Sequence, residues 1–230
     1  DAKGIGLAAP QVHINKQIII FRDLDEEKES EIKIIALMNP KLIKIDDKTE
    51  TAFGWPLERQ ELGQVVIAAE QHGAQVVGFD MLFTQDSEWG EDDDNAFADA
   101  VNNARNVVLP SFRQEPLIEV LTSSQPRVSH PFLDVGDDGV VRRVPFTLSS
   151  QAEVSTPDAI ALGVEMMRVA SSVDNAENFS SGTGYIHFKN QTDWRRQSFL
   201  DVLNLIQTQD AEKLEELFKG TFVLVGVTAK

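Results

Sequence analysis

Two nearly uninterrupted apolar runs, Val76 to Phe83 and Thr221 to Val227, constrain this chain more than any other feature. A strand with one face in water alternates apolar and polar residues. A strand apolar at almost every position needs cover on both faces, which is the condition of a parallel sheet flanked by helices. From Trp55 onward such runs alternate with helical patterns of roughly 10 to 15 residues, the signature of βα units. Leu62, Val66 and Ala69 share one helical face before a stop at His72-Gly73. The acidic run Glu91 to Asp94 precedes Phe97, Val101 and Ala104, and carboxylates suit the positive end of a helix dipole. Strand-like Val107 to Leu109 follows, and His130 to Leu148 reads as a hairpin around Asp137-Asp138-Gly139. Thr156-Pro157-Asp158 predicts the start of a helix carrying Ile160, Val164 and Met167 on one face. Ser198 is the expected cap of a helix with Phe199, Val202, Leu203 and Ile206 in register, and a last helix groups Leu214, Leu217 and Phe218. The expected fold is α/β: a mixed, mostly parallel sheet covered by helices.

The first 55 residues differ in kind. Short β-branched runs, Gln17 to Phe21, Ile32 to Leu37 and Leu42 to Ile45, predict a meander of about three strands, hence a strand-rich N-terminal appendage. Residues 1–55 carry 10 acidic and 8 basic side chains, whereas residues 56–230 carry 27 and 13, so the charge changes with the pattern. Three strands without a partner sheet are marginal alone, so the segment is expected to add to an edge of the larger sheet or remain mobile.

Charge and composition exclude several functions. The formal net charge of -16 disfavours nucleic acid and anionic membrane surfaces, both of which reward clustered Lys and Arg. The chain has no cysteine, which removes disulfides, thiolate metal sites and a cysteine nucleophile. No apolar run approaches the ~18 residues of a membrane span, and the chain reads as a soluble piece of something longer.

Gly4-Ile5-Gly6-Leu7-Ala8-Ala9-Pro10-Gln11-Val12 resembles the first signature of the peptide deformylases, and the resemblance extends with gaps through Met38-Asn39-Pro40 to about Trp55. It implies that Gly6 permits close backbone approach to a substrate and that Gln11 donates to a developing oxyanion. That family also holds a metal with the Cys of an EGCLS segment and the two His of an HExxH helix. Neither segment occurs in this chain, and His13, His72, His130 and His187 include no i, i+4 pair. Without the metal-bound water there is no hydrolytic mechanism, so no catalytic residue, metal or cofactor is expected.

Residues 55 to 229 are similar to the second family of CHASE domains, extracytoplasmic sensory modules of bacterial cyclases and kinases. The resemblance is carried by Gly73 to Phe83, Asn106 to Pro110, Asp138 to Pro145, Ser198 to Leu203 and Phe218 to Ala229, in that order. It implies a CHASE-type sensor over 56–230 fused to a deformylase-like fragment over 1–55, whether the fusion is natural or a chimera. It also implies a place on the periplasmic side of a bacterial inner membrane, or in the cytoplasm if the deformylase-like end dictates. Membrane contact would come only through segments outside this chain.

Ligands of open α/β sheets gather beyond the C-terminal ends of the strands, which puts Asp80, Thr84, Ser111 and Thr228 near one rim as candidate contacts. The competing reading of Asp80 is a carboxylate satisfied by an Arg or by a helix end. Arg142 and Arg143, after the hairpin turn, are either a carboxylate clamp or a solvated pair. Clustered carboxylates at Glu91 to Asp94 suit a hard cation, but the D-x-D-x-D-G spacing is absent, so the run is read as a helix start. The expected function is non-catalytic sensing of a small molecule whose identity the sequence leaves open. A deformylase-like metallohydrolase and a homodimerising scaffold are the alternatives.

Overall fold

The computed structural model describes residues 19–22, 32–35, 40–111, 116–130, 134–145, 160–171, 183–185 and 195–228. Gly4 to Val12, including Gly6 and Gln11, lie outside them, as do Thr156 to Asp158.

Seven strands form one sheet in the order β11 (Arg195–Ser198), β3 (Pro40–Ile45), β12 (Phe222–Val227), β4 (Val76–Asp80), β5 (Val107–Pro110), β6 (Arg127–His130) and β9 (Ile160–Ala161). Every neighbouring pair is parallel. The helices are α1 (Asp47–Phe53), α2 (Arg59–Gln71), α3 (Glu91–Ala104), α4 (Glu119–Ser123), α5 (Leu162–Ser171), α6 (Phe199–Gln207) and α7 (Ala211–Phe218). Two smaller antiparallel sheets complete the described elements. One pairs β1 (Ile19–Arg22) with β2 (Ile32–Ile35), and the other has the order β10 (Thr183–Tyr185), β8 (Val141–Pro145), β7 (Asp134–Val135).

Crossover handedness explains which face each helix covers. The steps β3 to β4, β4 to β5 and β11 to β12 all run in one direction across the sheet. Parallel crossovers are right-handed, so their helices must lie on one face. Accordingly α2, α3, α6 and α7 bury Leu62, Val66, Phe97, Val101, Phe199, Val202, Leu203, Leu214, Leu217 and Phe218 in the same core as Ile43, Ile45, Val77, Phe79, Val107, Leu109, Val223 and Val225. The return from β9 to β11 runs the opposite way, and α5 covers the opposite face. There Met166 packs with Val76, Val108 and Phe222. Alternate residues of β4 and β12 thus enter two cores, which is why both strands are apolar throughout.

Several local expectations shift. β3 is not the third strand of a meander, nor does it add to an edge: it sits between β11 and β12, so a boundary at residue 55 would cut through the sheet. The Val76 to Phe83 run ends as a strand at Asp80, and Phe83 folds back against Phe79 and Phe97, with ring centroids 5.7 and 4.9 Å away. Ile160 belongs to a strand, and α5 starts at Leu162. His130 ends β6 in the main sheet, leaving β7 and β8 as the hairpin around Gly139, whose φ is 75°. α2 ends where expected, with Gly73 at φ 81°.

Candidate functional site

The strand rim is assembled by the parallel register. Asp80 closes β4 directly beside Gly226 of β12, and a Cβ on Gly226 would meet the Asp80 Cβ at 3.4 Å, an ordinary contact. The Thr228 amide donates to the Ile45 carbonyl at 2.9 Å, prolonging the β12–β3 ladder. The Ser111 amide does the same to Ser129 at 2.9 Å beyond β5. Asp80 and Thr228 are exposed, while Ser111 and Thr84 are half-buried. Asp80, Ser111 and Thr228 therefore end three adjacent strands, with Thr84 in the loop that leaves β4. Arg142 and Arg143 stand elsewhere. Their strand β8 pairs only with β7 and β10 among the described residues.

The same end of the sheet holds a buried polar network that the acidic run supplies. Glu58, at the N-cap of α2, makes no side-chain cap. Asp93 of α3 does that work instead, accepting from the Gln60 amide at 2.8 Å, the Arg59 amide at 2.9 Å and the Ser87 hydroxyl at 2.5 Å. Asp94 accepts from the Arg59 guanidinium and, at 3.0 Å, from the Ser87 amide. Arg59 also donates to the Gln85 carbonyl and lies 5.6 Å from the Phe83 ring centroid. All four carboxylate oxygens of Asp93 and Asp94 are thus engaged by protein donors. The run is a helix start with a second task, which is to tie the loop after β4 to α2. The cap on α6 is borrowed in the same way. Ser198 donates to Asp46 at 2.9 Å rather than capping its own helix, and the Leu200 amide donates to the Thr49 hydroxyl at 3.3 Å.

Among the described residues, Glu61 is the one carboxylate at this end with an unmet need, since its buried Oε2 has no hydrogen-bond partner. Burial, then the charges of Glu58 and Asp93, push its pKa above 4.5. A folded-state pKa above the unfolded one means that the native state holds the proton more tightly. The resulting stability is fully present below about pH 4.5 and is lost as pH rises through the shifted value. Glu61→Gln removes that loss, so its melting temperature should exceed the parent's at pH 7 to 8, with the gap closing toward pH 4.5. Equal or lower melting at pH 7 would contradict the assignment.

A second feature lies away from the rim, where a cavity of about 300 Å³ opens between β3, β11, α6 and α7. Lys41 lines it although only 7% exposed, because it shares the inward face of β3 with Ile43 and Ile45. Burial, then the nearby Arg195, lower the Lys41 pKa, and Glu216 opposes them. Asp201 and Glu216 bring carboxylates to the wall, with Asp201 holding the Gln197 amide at 3.3 Å. Sequence reasoning missed this group. The available signal was a lysine in register with two core isoleucines on a strand. Among the described residues no set of three His, Asp or Glu is placed to hold a metal ion.

Comparison with known proteins gives two matches. Residues 28–230 match the CHASE2 domain, and residues 1–54 match polypeptide deformylase. A peptide deformylase of Hydrogenovibrio crunogenus (strain DSM 25203 / XCL-2) is 48% identical over 48 residues, which is 21% of this chain and 26% of that protein. The chain thus spans about a quarter of the length of that relative. No solved structure matches the chain. The CHASE2 match begins well before residue 55, in keeping with the place of β3 inside the sheet.

Proposed function

We propose, from the premise that this chain belongs to the CHASE2 domain family, that it is the ligand-sensing, non-catalytic module of a bacterial membrane signalling receptor such as a cyclase or kinase, facing the periplasm. The family match over residues 28–230 carries the reading, because CHASE2 domains are extracytoplasmic sensors. No helix among the described residues is long and apolar enough to cross a membrane. The deformylase-like stretch adds no chemistry to this reading, since the metal-binding segments of that family do not occur in the sequence.

The rim residues Asp80, Thr84, Ser111 and Thr228 are the proposed ligand contacts, with Arg142 and Arg143 as a separate pair. β12 is the element best placed to respond. It is hydrogen-bonded on both sides, to β3 and β4, and its end lies at the rim between Ile45 and Asp80. A ligand shifts such a strand only by binding two arrangements with unequal affinity.

A thermal-shift screen against metals, nucleotides, amino acids and organic acids, run beside a metal analysis, tests the reading. Saturation at 100 times Kd stabilises a folded protein by about 2.7 kcal/mol, a rise of roughly 5 to 10 °C for a chain of this size. The expected result is a concentration-dependent rise with one small-molecule class. For a rim ligand, Asp80→Asn should abolish the rise without moving the ligand-free melting point. Stoichiometric bound metal with no small-molecule response would instead favour a metallohydrolase. A defined oligomer that responds to nothing would favour a dimerisation scaffold.

A further inference from the structure

We infer that the cavity between the β11 edge of the sheet and the α6–α7 pair is a binding site for a small zwitterion of the amino acid class, with Lys41 holding its carboxylate and Asp201 and Glu216 its ammonium. This site is distinct from the rim and stands without it.

Lys41 is the reason to look here. The residue is only 7% exposed, yet its ammonium is not among the buried atoms that lack a partner: the stem is packed while the charged end opens onto the cavity, where Glu216 acts on it as an opposite charge. A lysine whose stem is packed against the core and whose ammonium faces a cavity presents its charge there. Arg195, an exposed cation nearby, adds its positive charge to that of Lys41. Lys213 also borders the cavity but is engaged by Asp210 at 2.5 Å, which leaves Lys41 as the anion anchor.

The rest of the lining selects the ligand class. Two carboxylates share the cavity with Lys41, so a polyanion such as a nucleotide or sugar phosphate meets repulsion, whereas a zwitterion meets opposite charge at both ends. Gln197 is oriented by Asp201 and offers its amide carbonyl as a further acceptor for an ammonium. Leu205 and Leu217 provide an apolar wall for a short side chain. The volume, about 300 Å³, is at the lower end for ligand pockets and suits a molecule of amino acid size. Lys41 pairs in register with Val223, so occupancy would bear on β12, the strand beside β3.

The test is titration calorimetry of the full chain with glycine, L-alanine, L-leucine and L-glutamate. The corresponding carboxylic acids without the amine, and amines without the acid, serve as controls. At least one amino acid should bind at 1:1, and its amine-free counterpart should bind at least about 10-fold more weakly, since one of two desolvated charge contacts is lost. Lys41→Met keeps the stem and removes the charge, and should weaken binding at least about 30-fold while melting at or above the parent temperature. Asp201→Asn is the second variant, should Lys41→Met fail to fold, and should weaken amino acids while leaving the amine-free acids unchanged. Asp80→Asn should leave the affinity as it is. No binding by any amino acid, or equal binding by parent and Lys41→Met, or equal binding of an amino acid and its amine-free acid, would overturn the assignment.

Discussion

Replacing Asp94 by Ala should destabilise the protein by about 3 kcal/mol, a fall in melting temperature of roughly 6 to 12 °C. The side chains of Asp94 and Arg59 are 5% and 12% exposed, so the pair is not one of the surface ion pairs that contribute little. Removing the carboxylate leaves a guanidinium between the Phe83 ring and the Gln85 carbonyl, and it also frees the Ser87 amide. Urea unfolding followed by far-UV circular dichroism measures the loss. The double change Arg59→Met with Asp94→Leu should recover most of it, because the penalty belongs to the charge left unpaired rather than to the absence of attraction. A loss below about 1 kcal/mol for Asp94→Ala would mean that the network is solvated in solution and does not fasten the loop after β4.

That network also marks where local pattern stops being informative. The helices whose apolar residues recur at helical spacing were legible, and Leu62, Val66, Phe97, Val101, Phe199, Val202, Leu203, Leu214, Leu217 and Phe218 are buried as their spacing predicts. The strands β4 and β12 were legible for a related reason, since burial on both faces writes itself into every residue. β3 was legible as a strand over Leu42 to Ile45 but not in its place, since it pairs with β11 and β12 from the far end of the chain rather than in a meander. Pairing over such separations leaves no local trace. The caps show the same limit. Asp93 serves α2 from 33 and 34 residues away, and Ser198 reaches Asp46 across 152. At the site level, the rim positions follow from the sheet rule alone. Lys41 required the tertiary structure, because only α6 and α7 turn an inward lysine on a strand into the wall of a cavity.

The other large effect belongs to the opposite face of the sheet. Gly78 lies in the middle of β4 facing α5, and a Cβ there would stand 2.5 Å from the Met166 sulfur and 2.9 Å from its methyl. Glycine within a strand costs about 0.5 to 1 kcal/mol of backbone freedom, so a larger residue would be favoured were the space open. Gly78→Val should therefore destabilise by about 3 kcal/mol in urea, the upper end of what overpacking costs, because Met166 is 3% exposed and has little room to retreat. Met166→Ala alone should cost about 2 kcal/mol through the cavity it leaves. Combined, the two changes should cost less than Gly78→Val alone, since the valine occupies what the methionine vacates. Additivity within about 0.5 kcal/mol would show that the two positions do not share that space, and that α5 is not seated on β4 through this contact. Coupling would tie α5 to the strand that ends at Asp80, so that a displacement of the rim at β4 must either carry α5 with it or break the Gly78–Met166 fit.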